Sequence, residues 1–186
     1  MRPSSGSPRN SLARPDLPRP ACRVRLVCGP PASGKSTYVK EHKAPGDVVI
    51  DYDAIARELG YGRDRPRSSI EPILRERNRR LAALANAPSS ATAWVIVSAA
   101  SRHLRAWWCE ALGVVPCDLA VLVPSRAELR RRIFADDDRP GLRFKMMQME
   151  VVDRWFAMEQ LNSPGVIRSG CSDDGSPSDP LHHWNR

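Results

Sequence analysis

The feature that most constrains this chain is the segment 29–36, GPPASGKS, which matches the phosphate-binding loop pattern G-x-x-x-x-G-K-[ST]. Glycines in such a loop let successive backbone N–H groups point at phosphate oxygens, and the following helix adds the positive end of its dipole. The apolar segment 24–28 precedes the loop as a predicted strand, and residues 37–43 are predicted to continue as a helix. Strand, loop and helix together predict an α/β fold built around a nucleoside triphosphate site.

Side chains and backbone of this loop have separate expected roles. Lys35 is expected to reach the β- and γ-phosphates, and the Ser36 hydroxyl is the expected ligand of Mg2+. The pattern therefore predicts ATP and Mg2+ as the molecules bound here. The residues expected to contact the nucleotide are Gly29, Pro30, Ala32, Ser33, Gly34, Lys35, Ser36 and Thr37.

Length, cysteine content and charge restrict the class of protein. With 186 residues, 41% of them hydrophobic, one domain is expected, and no apolar segment is long enough to cross a bilayer. Five scattered cysteines without C-x-x-C spacing indicate reduced thiols and a cytoplasmic location. The net charge of +8, carried by 25 arginines and only four lysines, favours polyanionic partners such as nucleotides or nucleic acids.

Composition divides the chain into three segments. Residues 1–20, rich in proline and arginine, are predicted to be a disordered basic arm. Residues 21–167 are predicted to form a three-layer α/β/α domain with a parallel sheet of four to five strands, the fifth candidate being Val166-Ile167. Residues 168–186 are predicted to be a flexible tail.

Two carboxylates lie at the end of the second predicted strand, residues 47–51, in the sequence Asp51-Tyr52-Asp53. Ligands of α/β sheets bind at the carboxyl ends of the strands, so this position predicts a catalytic carboxylate. Alternatively, Asp53 caps the next helix, a role that is compatible with the first. A polar loop with three arginines, residues 60–69, follows where an acceptor substrate would enter.

The third predicted strand, residues 94–97, is followed by Ser98-Ala99-Ala100-Ser101 without an acidic residue. Many phosphate-loop ATPases place a magnesium-organising aspartate at such a strand end. Its absence argues against a motor-type ATPase and leaves the metal to Ser36, water and Asp51 or Asp53. In the helix predicted before this strand, four arginines are expected on a solvated face: Arg75, Arg77, Arg79 and Arg80.

An arginine-rich segment follows the fourth predicted strand, residues 118–123. Ser125 and Glu128 have the spacing of a capping box at the start of a helix, which leads through a turn to a last helix from about residue 144 to 161. This is the layout of a phosphoryl-transfer lid, in which Arg132 and Arg139 are expected to neutralise the transferring group.

This order of motifs resembles the small P-loop kinases, and among them the 5′-kinase domain of polynucleotide kinases, especially the bacteriophage type. The resemblance covers residues 23–161. Residues 29–37 resemble the family's GxPGSGKST start, with Ala32 in place of a glycine. Residues 50–53 resemble the strand end whose last aspartate is the general base, which implies that role for Asp53. Residues 123–132 resemble the segment that leads into the lid, which places its first arginine at Arg132.

The chain also departs from the family at three positions. Arg57 is only an approximate match to the arginine that follows the base, and we assign it with Asp51 to substrate binding. The acidic motif after the third strand is Ser98-Ala99-Ala100 here. The second lid arginine falls in a segment of different length, so that Arg139 is the first candidate and Arg143 the alternative.

The resemblance implies an ATP-dependent kinase that acts on a hydroxyl. The favoured acceptor is the 5′-OH end of DNA or RNA. Zeta-toxin-like kinases, which phosphorylate a nucleotide sugar, also pair a phosphate loop with a D-x-D strand end. Nucleoside or nucleotide kinases fit the same spacing, so a small-molecule acceptor is the second hypothesis. A non-catalytic ATP-binding module of a phage or plasmid assembly is the third, although such a module needs neither D-x-D nor lid arginines.

Overall fold

Four parallel strands in the described part of the chain form the sheet that carries the phosphate loop. The computed structural model describes residues 12–139 and 141–161. The strands are β1 (Arg23–Cys28), β2 (Val48–Asp51), β3 (Thr92–Val97) and β4 (Leu119–Val121). Their order across the sheet is β2-β3-β1-β4, and all three pairings are parallel. The sheet and the helices on it confirm the predicted α/β fold with a parallel sheet.

Each strand is connected to the next by helical segments, as parallel pairing requires. The α-helices are α1 (Lys35–His42), α2 (Tyr52–Glu58), α3 (Ile70–Ala83), α4 (Arg102–Leu112), α5 (Arg126–Ala135) and α6 (Gly141–Leu161). Short 3-10 turns are found at Arg67–Ser69, Leu84–Asn86 and Pro116–Asp118. The Ser125 hydroxyl caps α5 by accepting from the Glu128 N–H at 3.2 Å, which confirms that part of the predicted capping box.

Alternating side chains of the strands build a core on each face of the sheet. Leu26 and Val95 belong to the core that α2, α3 and α4 cover, whereas Val27 and Trp94 belong to the core on the other face, which α1 covers. A third cluster joins α5 to α6 through Leu129, Ile133 and Val152. Because adjacent residues of a strand point to opposite faces, both faces are buried, and helices lie on both sides of the sheet.

The carboxyl ends of the strands meet at one edge, where the candidate site lies. Cys28 at the end of β1 is paired with Val97 and Val121, and Asp51 at the end of β2 is paired with Ile96. The Gly29 N–H then donates to the Ser98 carbonyl at 3.3 Å. The phosphate loop, the D-x-D segment and the loop after β3 therefore start from the same sheet edge.

Residues 12–20 do not form the disordered arm that their composition predicts. The Leu12 carbonyl accepts from Arg77 Nη2 at 3.0 Å and from Asn78 Nδ2 at 2.9 Å, and Leu17 packs against the main core. Arg14 lies over the ring of Trp107. The prediction is wrong for these residues because the segment meets hydrogen-bonding side chains of α3 and aromatic surface of α4. Residues 1–11 lie outside the described part.

Arg77 differs from its predicted place on a solvated face. Only 8% of the residue is exposed, and its guanidinium lies 5.3 Å from the ring centroid of Trp108. Contact with α4 and with the N-terminal segment removes it from water, and burial lowers its pKa to about 10. The solvated-face prediction is therefore wrong for this one arginine.

The remaining predictions about the ends of the chain concern residues that are not described. The candidate fifth strand at 166–167 and the tail at 168–186 lie outside the described residues. Within the described residues, no helix combines the length and apolar character needed to span a membrane.

Candidate functional site

The backbone of the phosphate loop has the shape that its glycines predict. Gly29 has φ 153° and Gly34 has φ 92°. A Cβ at Gly29 would lie 2.4 Å from the Leu122 carbonyl oxygen and 2.6 Å from Ser33 Oγ, so that no larger residue fits. Ala32, which occupies the place of a family glycine, has φ 61° and thus holds a non-glycine residue in the left-handed region.

Lys35 lies across the loop and donates to its carbonyl oxygens. Nζ is 2.9 Å from the Gly29 oxygen, 2.7 Å from the Pro30 oxygen and 3.4 Å from Ser33 Oγ. Removal from water lowers the pKa of Lys35 to about 8, although Asp51 and Asp53 oppose this shift. An ammonium group with so little water around it is well prepared to exchange carbonyl partners for phosphate oxygens.

Asp51 connects the phosphate loop to the end of β2. Its Oδ2 accepts from Ser36 Oγ at 3.2 Å, and its Oδ1 accepts from the Asp53 N–H at 3.1 Å. Asp51 is therefore the cap of α2, and the alternative that gave this task to Asp53 is wrong. Burial raises the pKa of Asp51, so that its carboxylate favours a nearby cation.

These oxygens suit magnesium. The described residues contain no group of three or more His, Cys, Asp or Glu side chains that would hold a metal without other ligands. Mg2+ needs no such group, because it retains water and phosphate oxygens and takes one or two protein oxygens. The Ser36 hydroxyl and the Asp51 carboxylate, 3.2 Å apart, are hard donors of this kind.

Asp53 has surroundings opposite to those of Asp51. Its side chain is 73% exposed, against 8% for the Asp51 residue. Its Oδ1 accepts from Arg65 Nη2 at 2.5 Å, and Arg65 itself lies 5.0 Å from the ring centroid of Tyr52. Arg57 donates to the backbone oxygen of Asp53 at 3.3 Å rather than to its carboxylate. Asp53 is therefore the carboxylate of the pair that a molecule in solution reaches.

Arg132, the first candidate lid arginine, lies against the phosphate loop. Its Nε donates to Glu128 Oε1 at 2.6 Å, and its Nη1 is 3.4 Å from the Ala32 carbonyl oxygen. A Cβ built on Gly34 would lie 3.6 Å from the same Nη1. Hydrogen bonds from Arg131 and Arg132 lower the pKa of Glu128 to about 2, so Glu128 stays ionised and orients Arg132.

Arg139 is the better placed of the two candidates for the second lid arginine. Its Nε donates to Asp136 Oδ2 at 2.9 Å and its Nη1 to Gln148 Oε1 at 3.2 Å. Its charge is close enough to Lys35 to contribute to the lowered pKa of that lysine. Arg143, in the first turn of α6, is exposed. Within the described residues, it takes no part in the hydrogen bonds of Lys35, Arg132 or Arg139 given above.

The sequence comparisons agree with this geometry. The profile of an AAA domain family matches residues 24–155, which is more than half of the chain. The chain belongs to this AAA domain family. It is a P-loop family that includes polynucleotide kinases and other kinases, so membership supports an ATP-dependent phosphotransferase at this coarse level. A search of curated proteins found no significant match.

In this AAA domain the loop after β3 binds side chains of neighbouring helices, whereas in a motor-type ATPase the same strand end carries an acid that organises the metal. The Ser98 carbonyl accepts from Trp155 Nε1 at 2.9 Å. Arg105 Nη1 donates to the Ala99 and Ala100 carbonyls at 3.0 and 3.1 Å, and its Nη2 reaches both oxygens of Glu159 at 2.9 and 2.7 Å. The loop that lacks an acidic residue thus anchors α6 to the sheet.

Three residues of this AAA domain's site were not singled out by sequence reasoning. Arg65 pairs with Asp53, Asp136 holds Arg139, and Gln148 supports the same guanidinium. The arginine content of the 60–69 loop was a signal for Arg65. No local pattern indicated Asp136 or Gln148, because their importance arises from where the turn and α6 meet.

Proposed function

We propose that this protein is an ATP-dependent kinase that transfers the γ-phosphate to a hydroxyl, with the 5′-OH end of DNA or RNA as the favoured acceptor. One observation carries the proposal: two carboxylates, two residues apart, have opposite surroundings. Asp51 is buried against Ser36 of the phosphate loop, whereas Asp53 is exposed beside it. For a hydroxyl kinase, a buried carboxylate beside the expected metal ligand suits Mg2+, and an accessible one suits a general base for the acceptor hydroxyl.

On the donor side, the phosphate loop holds the triphosphate through its N–H groups and Lys35. The ammonium leaves the Gly29 and Pro30 carbonyls, 2.9 and 2.7 Å away, for the β- and γ-phosphates. Ser36 and Asp51 would hold Mg2+, which would supply positive charge against the phosphates. Asp51 therefore joins the donor side, in addition to the substrate-binding role expected from the sequence.

On the acceptor side, Asp53 accepts the proton of the attacking hydroxyl. The hydroxyl oxygen forms a bond to the γ-phosphorus while the bond from that phosphorus to the β,γ-bridging oxygen breaks, and ADP leaves. Arg132 and Arg139 stabilise the charge on the transferring group. Arg65 orients Asp53 until the hydroxyl takes its place, and Arg57 supports the backbone at the same residue.

The preference for a nucleic-acid end rests on charge and on the resemblance to polynucleotide kinases. Arg63, Arg65 and Arg67 lie on the loop beside Asp53, and the chain carries a net charge of +8. Such a surface favours a polyanionic acceptor over a neutral one. Nucleosides carry no charge at neutral pH, and nucleotides and nucleotide sugars carry only a few, so these small acceptors have less charge to offer it.

Transfer from labelled ATP to a panel of acceptors tests the proposal. The panel holds 5′-OH DNA, 5′-OH RNA, nucleosides, nucleoside monophosphates and nucleotide sugars. Transfer to the oligonucleotides, weakening steeply as salt rises, is the expected result. Transfer only to a small acceptor, with a modest salt response, makes the protein a small-molecule kinase. Binding of ATP with transfer to no acceptor refutes the kinase itself and leaves an ATP-binding module.

A further inference from the structure

One carboxylate lies between the 60–69 loop, which we call the arginine loop, and the turn that precedes α6. Asp136 Oδ2 accepts from Arg63 Nη1 at 3.1 Å and from Arg139 Nε at 2.9 Å. Its other oxygen, Oδ1, accepts from the Asp138 N–H at 3.1 Å. Asp136 is thus fixed by its own turn, while one of its oxygens joins Arg139 of that turn to Arg63, which lies 73 positions away in the chain.

The Arg139 end of this bridge is tightly held. The Asp136 carboxylate fixes Nε, Gln148 fixes Nη1 at 3.2 Å, and the Arg139 N–H donates to the Asp136 carbonyl at 3.2 Å. Only 11% of the Arg139 side chain is exposed. A guanidinium oriented in advance stabilises a developing charge without reorganisation at the moment of reaction.

The Arg63 end lies in the segment that faces the acceptor. Arg63 is two residues before Arg65, whose Nη2 contacts the proposed base Asp53. The Arg63 side chain is 44% exposed, so it has room to move with the loop. A displacement of the arginine loop by an entering acceptor therefore alters the contact of Arg63 with Asp136, and Asp136 is what holds Arg139.

We propose that Asp136 is a positioning residue that couples the arginine loop to Arg139, so that acceptor entry sets the placement of the second lid arginine. The inference rests on the proposed function, because it requires Arg139 to act on the transferring phosphoryl group. Neighbouring Asp137 supplies a matched control, since it is an exposed aspartate in the same turn.

Steady-state kinetics with ATP and a 5′-OH oligonucleotide test the positioning role. Asp136→Asn is expected to lower kcat about tenfold, as for loss of one charge-assisted hydrogen bond, while the KM for ATP changes less than about twofold. Asp137→Asn is expected to match the wild type. A rise in the KM for ATP without a fall in kcat, or equal losses in the two variants, overturns the role.

A double-mutant cycle tests the coupling. Arg63→Gln is expected to lower kcat in the same direction, and the double variant with Asp136→Asn is expected to be no worse than Asp136→Asn alone. Multiplying losses would mean that Arg63 and Asp136 act independently, which contradicts the proposal. Arg63→Gln changes an exposed side chain, so this arm remains informative even where Asp136→Asn folds poorly.

Hydrogen exchange separates this inference from the proposed function, because it requires no phosphoryl transfer. Arg63→Gln is expected to speed amide exchange in residues 136–139, and Asp136→Asn to speed it in residues 61–65, each at least severalfold. An active wild-type kinase with unchanged exchange in both variants refutes the coupling alone. A wild type that transfers phosphate to no acceptor refutes the proposed function, and the assigned role of Arg139 falls with it.

Discussion

Replacing Asp53 with asparagine tests the proposed chemistry most directly, because the structure separates its catalytic effect from an effect on folding. The side chain is 73% exposed, and its carboxylate forms an ion pair with Arg65 on the surface. Such pairs contribute about 0–1 kcal/mol to stability, so the free energy of unfolding should change by less than about 1 kcal/mol. Asparagine has similar shape but does not accept the hydroxyl proton. Loss of a general base lowers kcat about 10²–10⁴-fold, which corresponds to about 3–5 kcal/mol in the barrier.

The assay compares kcat for transfer to a 5′-OH oligonucleotide with ATP affinity measured by calorimetry. ATP affinity should stay within about threefold of the wild type, because Asp53 contacts Arg65 and not the phosphate loop. Asp64→Asn, an exposed aspartate of the arginine loop, is the matched control and should retain full activity. Asp51→Asn should instead weaken magnesium-dependent ATP binding, since it changes the partner of Ser36. An Asp53→Asn variant that keeps more than about a tenth of wild-type kcat, or that no longer binds ATP, would refute the assignment of the base.

Three further predictions concern the loop, its lysine and the anchor of α6. ATP affinity should fall as pH rises above about 8, because the pKa of Lys35 in the free protein is lowered to about 8 and bound phosphates raise it. ATP binding therefore takes up a proton. Calorimetry in buffers of different ionisation enthalpy should detect this proton uptake, and Lys35→Met should lack it. Gly29→Ala should lower the free energy of unfolding by about 2–4 kcal/mol in urea denaturation, because the added Cβ clashes with Leu122 and Ser33. Gly62→Ala should be almost neutral, because a Cβ there has nothing within 4 Å. Equal effects of the two substitutions would contradict the close approach of Leu122 and Ser33 to Gly29. Arg105→Met should cost about 3–5 kcal/mol because it removes the buried guanidinium that joins Glu159 to the Ala99 and Ala100 carbonyls. Arg102→Met, at an exposed residue of the same helix, should cost less than about 0.5 kcal/mol. A small loss for Arg105→Met would show that the anchor is dispensable.

Local signals in the sequence predicted the backbone of the phosphate loop and the position of the D-x-D segment at the sheet edge. The phosphate-loop pattern fixes the conformation of a few consecutive residues, and D-x-D at a strand end fixes its place at the sheet edge. Ser125 caps the helix that it was expected to cap. These predictions succeed because each depends on neighbours within a few residues, whose geometry the sequence determines directly.

Contacts between distant segments were not accessible in the same way. Asp136 meets Arg63 across 73 positions, and Arg105 meets Glu159 across 54. Periodicity places Arg77 on a helix but does not show that the N-terminal segment and Trp108 cover it. Local pattern also suggested the wrong residue as the cap of α2: the expected alternative was Asp53, but Asp51 is the cap, because its side chain accepts from the Asp53 N–H.

The end of β3 explains why Asp51, at the end of β2, and Asp53, in the first turn of α2, carry the chemistry in the proposed mechanism. In a motor-type ATPase an acid after this strand would organise the metal and a water molecule. Here Arg105 takes up the Ala99 and Ala100 carbonyls, and Trp155 takes up the Ser98 carbonyl. An acidic side chain at this position would add charge beside the Arg105–Glu159 pair and compete with Glu159 for the guanidinium. In the proposed mechanism the sheet edge is therefore divided: the loop after β3 anchors α6, whereas the end of β2 supplies Asp51 for the magnesium side and the first turn of α2 supplies Asp53 for the acceptor side.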